Sequence, residues 1–218
     1  MNYLFLSIFL LVQIIVGVDS LNSKEKGWKL RKEEDGIKVF SRDREGSNFK
    51  EIKITCTLKT TASGLVHALS IKEDFTKWIY ACSESRLLKE ISATETIHYQ
   101  VTDAPWPVDD RDLIVHTKVV QNSDNGVIDI IGKGIYNYTP VNRNKVRVPK
   151  YEAHWIITPK NKNTMDIVYL IAVDPGGSLP AWVVNLGLSD GPLKTMKNLK
   201  SRLPQYQDVK IPYIKDIE

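Results

Sequence analysis

The chain has 218 residues, 42% of them hydrophobic, and its 30 basic and 26 acidic side chains are mixed along its length for a formal charge of +4. That is one domain or a small pair with ample material for a core. The mild cationic bias suits an anionic lipid surface and falls far short of a nucleic-acid footprint, so no nucleic-acid partner is expected.

The N-terminus reads as a processing signal. Leu4 to Val18 is almost entirely Leu, Ile, Val and Phe, and Val18-x-Ser20 places permissive residues at the −3 and −1 positions of a cleavage site. Residues 1–20 are expected to be a signal peptide, which makes the protein an exported one, periplasmic or secreted. The stretch lacks an early Lys or Arg, and an N-terminal membrane anchor is the alternative.

Residues 23–34 (SKEKGWKLRKEE) read as a short helix ended by Asp35-Gly36. Ile37–Arg42 and Glu51–Thr60 alternate apolar with polar, as half-buried strands do. Ala62–Trp78 carries Leu65, Val66, Leu69, Ile71, Phe75 and Trp78 at helical spacing, enough for two short helices. Strands are expected over Arg86–Ile91, Thr94–Thr102, Asp112–Gln121, Val127–Ile135, Lys145–Thr158 and Met165–Asp174, joined by turns such as Ser123-Asp124-Asn125-Gly126. The last element is a helix with Leu193, Met196, Leu199 and Leu203 in one apolar stripe.

Short turns forbid parallel crossovers in the second half, so the sheet is antiparallel. A sheet that long must curl, and one amphipathic helix can fill its concave face. The expected fold is α+β: a helix-grip, with a curved antiparallel sheet wrapped around a long C-terminal helix.

The chemistry-bearing residues are few. Cys56 alternates in phase with Ile52, Ile54 and Leu58 and reads as a small buried hydrophobe; an oxidising compartment would also permit pairing with Cys82. Asp109-Asp110-Arg111-Asp112 has no His, Ser or Cys beside it to act as nucleophile. Carboxylates around a guanidinium read as a structural ion-pair cluster, with Pro105-Trp106-Pro107 fixing the strand that follows. His98, His116 and His154 lie on different strands, but strand phase separates His98 from His116, so no metal and no cofactor are expected. No Gly-rich phosphate loop, nucleophile elbow or HExxH motif occurs. Between Asp174 and Asp190, in contrast, fifteen residues pass without a charge, through Asp174-Pro175-Gly176-Gly177 and Pro180.

Six pieces of this sequence, in order, resemble the StAR-related lipid-transfer (START) domain family over about residues 24–204. They are Trp28-x-Leu30-x-Lys32 with Asp35-Gly36-Ile37-x-Val39; Lys50-Glu51-x-Lys53; Trp78; Pro105-Trp106-Pro107-x-x-Asp110-Arg111-Asp112; Val146-Arg147; and Asp174-Pro175-Gly176-Gly177-x-x-Pro180-x-Trp182-x-x-Asn185. The resemblance implies a START-like domain over residues 21–208 followed by a tail, 209–218. It also implies an internal tunnel for one lipid or other small hydrophobic ligand, closed by the C-terminal helix, in a monomer that touches membranes transiently. The uncharged segment would then face the cavity when closed and a membrane when open.

Strand phase within that frame gives the expected lining as Ile54, Cys56, His98, Gln100, Val115, Thr117, Trp155 and Leu170, with Trp182, Val183 and Leu186 from the closing helix. Gln100 and Thr117 stand near positions where several animal members carry an acidic residue and an arginine; neutral groups there suit a hydroxyl or carbonyl. The competing reading is an enzyme on the same scaffold, of polyketide-cyclase or hydratase type, using His98, Tyr99 or Tyr169.

Overall fold

In the computed structural model of the chain, residues 27–46 and 49–217 are described, with the backbone alone at residues 181 and 182. The signal-peptide reading of residues 1–20 lies outside them. Among the described residues no helix is long and apolar enough to cross a membrane.

Residues 29–34 are a strand, β1 (Lys29–Glu34), and not the helix their composition suggests. Asp35 and Gly36 both adopt positive φ, 52° and 76°, the twist that folds one strand back on the next. β1 therefore pairs antiparallel with β2 (Ile37–Arg42), Lys29 opposite Ser41 and Glu34 opposite Ile37. Its residues stay largely exposed, so hairpin chemistry overrides helix propensity at an edge with nothing to bury.

The other strands are β3 (Glu51–Lys59), β4 (Cys82–Ser92), β5 (Glu95–Thr102), β6 (Arg111–Gln121), β7 (Ile128–Gly134), the two-residue β8 (Val146–Arg147), β9 (Lys150–Asn161) and β10 (Thr164–Asp174). They form one sheet in the order β1-β2-β3-β10-β9-β7-β6-β5-β4, antiparallel throughout except for β8, which pairs parallel with β6. Lys145–Thr158 is thus two strands, broken at Pro149 between β8 and β9. Proline has no N–H to give to a ladder.

Among the described residues four α-helices complete the fold, α1 (Ala62–Ser70), α2 (Phe75–Trp78), α3 (Ala181–Leu188) and α4 (Asp190–Arg202), with short 3-10 turns at Lys72–Asp74 and Leu203–Tyr206. Thr61 caps α1 by accepting from the Gly64 amide at 3.0 Å. The expected single C-terminal helix is two, divided at Ser189. On α4 the stripe Leu193, Met196 and Leu199, continued by Leu203, is fully buried against Ile54, Leu58, Ile157 and Ile167 of the concave face. Cys56 and Cys82 are both buried and unpaired. Burial pushes each thiol up to about 12, the signature of small core hydrophobes.

The convex face has its own small core of Ile97, Tyr99, Val101 and Ile114. Beside it lies the ion pair that the Asp109–Asp112 run supplies. Asp112 engages Arg147 and not Arg111: Nε donates to Oδ1 at 2.7 Å and Nη2 to Oδ2 at 2.9 Å, with both side chains buried. Arg147 also donates to the carbonyls of Tyr136, Thr139 and Pro140, which organises the β7–β8 loop. The structural reading of this cluster holds with different partners. Trp106 does not fix the following strand, since its side chain is 91% exposed; the loop is held by Asp110, which accepts from the Ala104 amide.

Removing one partner of such a pair strands a buried charge and costs about 3–5 kcal/mol. Arg147→Met is expected to lower unfolding free energy by that amount in urea titrations, and Asp112→Leu/Arg147→Met together to recover most of it.

Candidate functional site

Because directly opposed residues in antiparallel strands share a face, the register identifies the inner wall of the sheet. Ile54 faces Tyr169, Tyr169 faces Trp155, and Trp155 faces Ile130 across β3, β10, β9 and β7. Trp155 and Tyr169 stack with ring centroids 3.9 Å apart. On the far side His98 lies opposite Val115, and Thr96 opposite Thr117.

Between this wall and the helices are two adjoining chambers. The inner one, about 230 Å³, is walled by Ile52, Ile54, Phe75, Trp78, Val115, Ile130, Trp155 and Tyr169, with His98, Gln100, Thr117 and Lys72 as its polar points. The outer one, about 350 Å³, lies under α3 and is lined by Leu179, Val183, Val184 and Leu186 against Tyr80, Ala104, Pro105, Leu113 and Val148. Ile52, Gln100, Tyr151, Gly187 and Thr195 belong to both. Together they fall within the roughly 300–1,000 Å³ of small-molecule cavities, mostly apolar with a few convergent polar groups.

Of the expected lining residues, Ile54, His98, Gln100, Val115, Thr117 and Trp155 line the inner chamber, and Val183 and Leu186 the outer. Cys56 is on the inner face but inside the core beneath α4. Leu170 is a correction: it pairs with Lys53 and His154 and faces outward, because the inward residues of β10 are Met165, Ile167, Tyr169 and Ile171. The Trp182 side chain lies outside the described residues.

The histidines separate as phase predicts. His116 meets the Glu95 carboxylate at 2.6 Å, and His154 meets that of Asp129 at 2.6 Å, both away from the chamber. His98 alone of the three faces inward, 4% exposed, in edge contact with Phe75 and with no partner at Nδ1. Burial, and then the nearby Lys72 ammonium, push its pKa down to about 3. An imidazole that weak is a poor general base near neutrality. Tyr99 lies on the convex face under the Arg86 guanidinium, away from His98. Tyr169 shares a hydrogen bond with Tyr151, and burial raises both phenols. The groups named for an enzymatic reading therefore do not assemble into an acid–base pair.

Sequence reasoning missed Lys72. Its neighbours Lys72-Glu73-Asp74 look like a solvated turn, yet Lys72 is 4% exposed and lines the inner chamber. Burial pushes its pKa down to about 8. The available signal was its place one residue after the apolar face of α1 ends at Ile71.

A helix gripped in a curved antiparallel sheet, with a mostly apolar chamber between them, defines the helix-grip class. A family model of the START domain matches residues 16–208, and the chain belongs to that family. It is 34% identical to an uncharacterized protein of Pseudomonas aeruginosa over 83% of this chain and 88% of that protein. It is 25% identical to human START domain-containing protein 10 over 88% of this chain and 67% of that protein. Among solved structures, the STAR-related lipid transfer protein of Xanthomonas axonopodis matches with a TM-score of 0.75 at 34% identity, covering 83% of this chain and all of that one. Lipid binding is thereby supported at the level of the family.

Two pH dependences follow from the chamber's buried bases. His98 stays neutral in the fold while the unfolded chain takes a proton below about pH 6.5, so stability is lost as pH falls from there toward about 3. His98→Leu should lose about 3 kcal/mol less than the parent between pH 7 and pH 4, read by urea unfolding. Lys72 carries the opposite window: its penalty is full below about pH 8 and fades as pH rises toward 10.5. Lys72→Met should stabilise the empty protein at pH 7 by about 3 kcal/mol and have little effect above pH 10.5.

Proposed function

We propose that the two chambers hold one lipid-class molecule, that α3 is their removable cover, and that the chain carries its ligand to or from a membrane without making or breaking bonds in it. The observation that carries this reading is the contrast between α3 and α4. Every turn of α4 buries an apolar side chain, whereas no described residue of α3 is fully buried, although five of them line the outer chamber. A permanently docked core helix of such apolar composition would bury its face. A cover that rests on a ligand has reason not to.

The backbone allows movement there. Gly176 and Gly177, at φ 67° and 63°, form the turn from β10, and Arg111 reaches the Gly176 carbonyl from the start of β6. The second break is at Ser189, φ −140° and ψ −66°. The loop at residues 137–144 contributes no lining to the outer chamber; Tyr80, Ala104, Pro105 and Val148 do.

Membrane contact is supported at the same end. Trp106 projects into solvent one residue from Pro105, which lines the outer chamber. Tyr138 and Val141 are exposed on the loop that Arg147 organises, and Lys145 pairs with Asp110 between the two loops. Aromatic rings of this kind favour the lipid–water boundary.

Incubation with mixed lipids followed by gentle native mass spectrometry should show one lipid per chain; only empty protein would count against the reading. Val183→Asp/Leu186→Asp should slow transfer between vesicles at least tenfold while leaving the unfolding free energy within about 1 kcal/mol, because it charges a partly exposed cover. Trp106→Ser should weaken vesicle association and leave one-to-one binding intact. Intact-mass measurement of the native protein tests export: cleavage near Ser20 is expected, and a full-length chain in a cytosolic fraction contradicts it.

A further inference from the structure

We infer that the deep end of the cavity is an oxyanion receptor, so that the ligand is an amphiphile whose acidic head, a carboxylate or a phosphate, enters first and meets Lys72. This rests on the lipid-binding reading above and specifies its ligand.

Lys72 follows α1, where a lysine ordinarily extends its stem and leaves its ammonium in water. Here the whole side chain is turned inward. Nζ donates to the Leu69 carbonyl at 3.0 Å and lies 5.0 Å from the centre of the Phe75 ring. An ammonium has three protons to give, and one is used. Among the described residues it pairs with no carboxylate. The neighbouring acids are turned elsewhere: Glu73 accepts from the Leu87 amide, and Asp74 is engaged by Lys77, Arg202 and Tyr206. A buried charge without a counterion is costly, and a ligand oxyanion removes that cost.

A second donor lines the same chamber and touches the same Phe75 ring. His98 lies across the Phe75 ring, its centroid 5.4 Å from that of Phe75, and its buried Nδ1 has no partner. In the neutral tautomer protonated at Nδ1 it can donate to the second oxygen of the same acid. Thr117 brings a hydroxyl to the wall shared with Lys72. Three donors lining one chamber, with no carboxylate among its lining residues, suit an anion.

The position sets the orientation. Along β5, Gln100 borders the outer chamber, while Thr96, opposite Thr117, lies at the other end beside Lys72. The acid would therefore sit farthest from α3, with the apolar chain running back past Trp155 and Ile52 toward the cover. Gln100, near the cover, remains free for a neutral group of the ligand.

The test uses matched probes on the delipidated full chain, with native mass spectrometry and fluorescence displacement as readouts: oleate against oleyl alcohol, and dioleoyl phosphatidic acid against dioleoylglycerol. The acidic member of at least one pair should bind about tenfold or more tighter, as expected for a charge-assisted contact. Preference in the first pair identifies a carboxylate, and preference confined to the second identifies a phosphate. Lys72→Met should cut the preference to about twofold while keeping affinity for the neutral probe, and Lys72→Arg should restore part of it. Equal binding of acidic and neutral members, or a preference that survives Lys72→Met, overturns the oxyanion receptor and leaves lipid binding standing. No binding of any probe overturns both. A readout on the wild type needs no variant to fold: in ¹⁵N-lysine spectra, one Nζ should titrate well below the others when empty and return to the ordinary lysine range on loading with the preferred acid. An unmoved Nζ overturns the inference.

Discussion

A sheet whose path runs through nine strands spaced about 4.8 Å apart is some 40 Å across, and a 13-residue helix is only about 20 Å long. That mismatch governs the molecule. β1 to β10 curl into a concave face that must be covered, and α4 packs over the β1–β3 end of it. There Leu193, Met196, Leu199 and Leu203 share one buried core with Ile54, Leu58 and Ile167. The remaining face, from Trp155 to His98, lies beyond the reach of α4; Phe75 of α2 meets His98 at its far edge, and the inner chamber lies between. The cavity is the part of the sheet that the helix cannot reach.

The break at Ser189 separates two mechanical regimes. α4 is bolted down: the Tyr80 amide donates to Thr195 Oγ1 at 3.0 Å, Asn198 donates to the Trp78 carbonyl, and Lys32 and Lys197 pair with Asp190 and with Glu34 and Asp35. α3 has a run of uncharged residues and no comparable side-chain anchor to the sheet among the described residues. Elements with few buried contacts open at low free energy, and ligand covers are drawn from that class. If α3 is the proposed cover, a charged residue in it would gain partners in water and lose its fit to both lipid and chamber. That is a physical reason for fifteen uncharged positions in a chain that is 26% charged.

The sheet and the grip were legible because period-two alternation and the Leu193–Leu203 stripe are strong local signals. The failures were those of local signals facing tertiary ones. Lys29–Glu34 has helix-forming composition, but Asp35-Gly36 demands a hairpin. Leu170 looks as apolar as Ile171, and only pairing with Lys53 shows which of them points inward. Asp112 finds Arg147 across 35 residues of chain, a contact no spacing rule supplies. Lys72 was the largest omission. Charge in a turn normally means solvent, and its inward course depends on how α1 and α2 dock over β5. His98 and Gln100, placed by strand phase within the frame of the START resemblance, line the inner chamber.

The central claim is that α3 is a cover over a ligand chamber and α4 a fixed part of the core. Amide hydrogen exchange, followed peptide by peptide on the empty protein and on the same protein loaded with lipid, addresses it directly. The account predicts that residues 181–188 exchange orders of magnitude faster than residues 193–202 when empty, and slow sharply on loading while the α4 amides barely change. Equal protection of the two helices in the empty protein, unaltered by lipid, would contradict it.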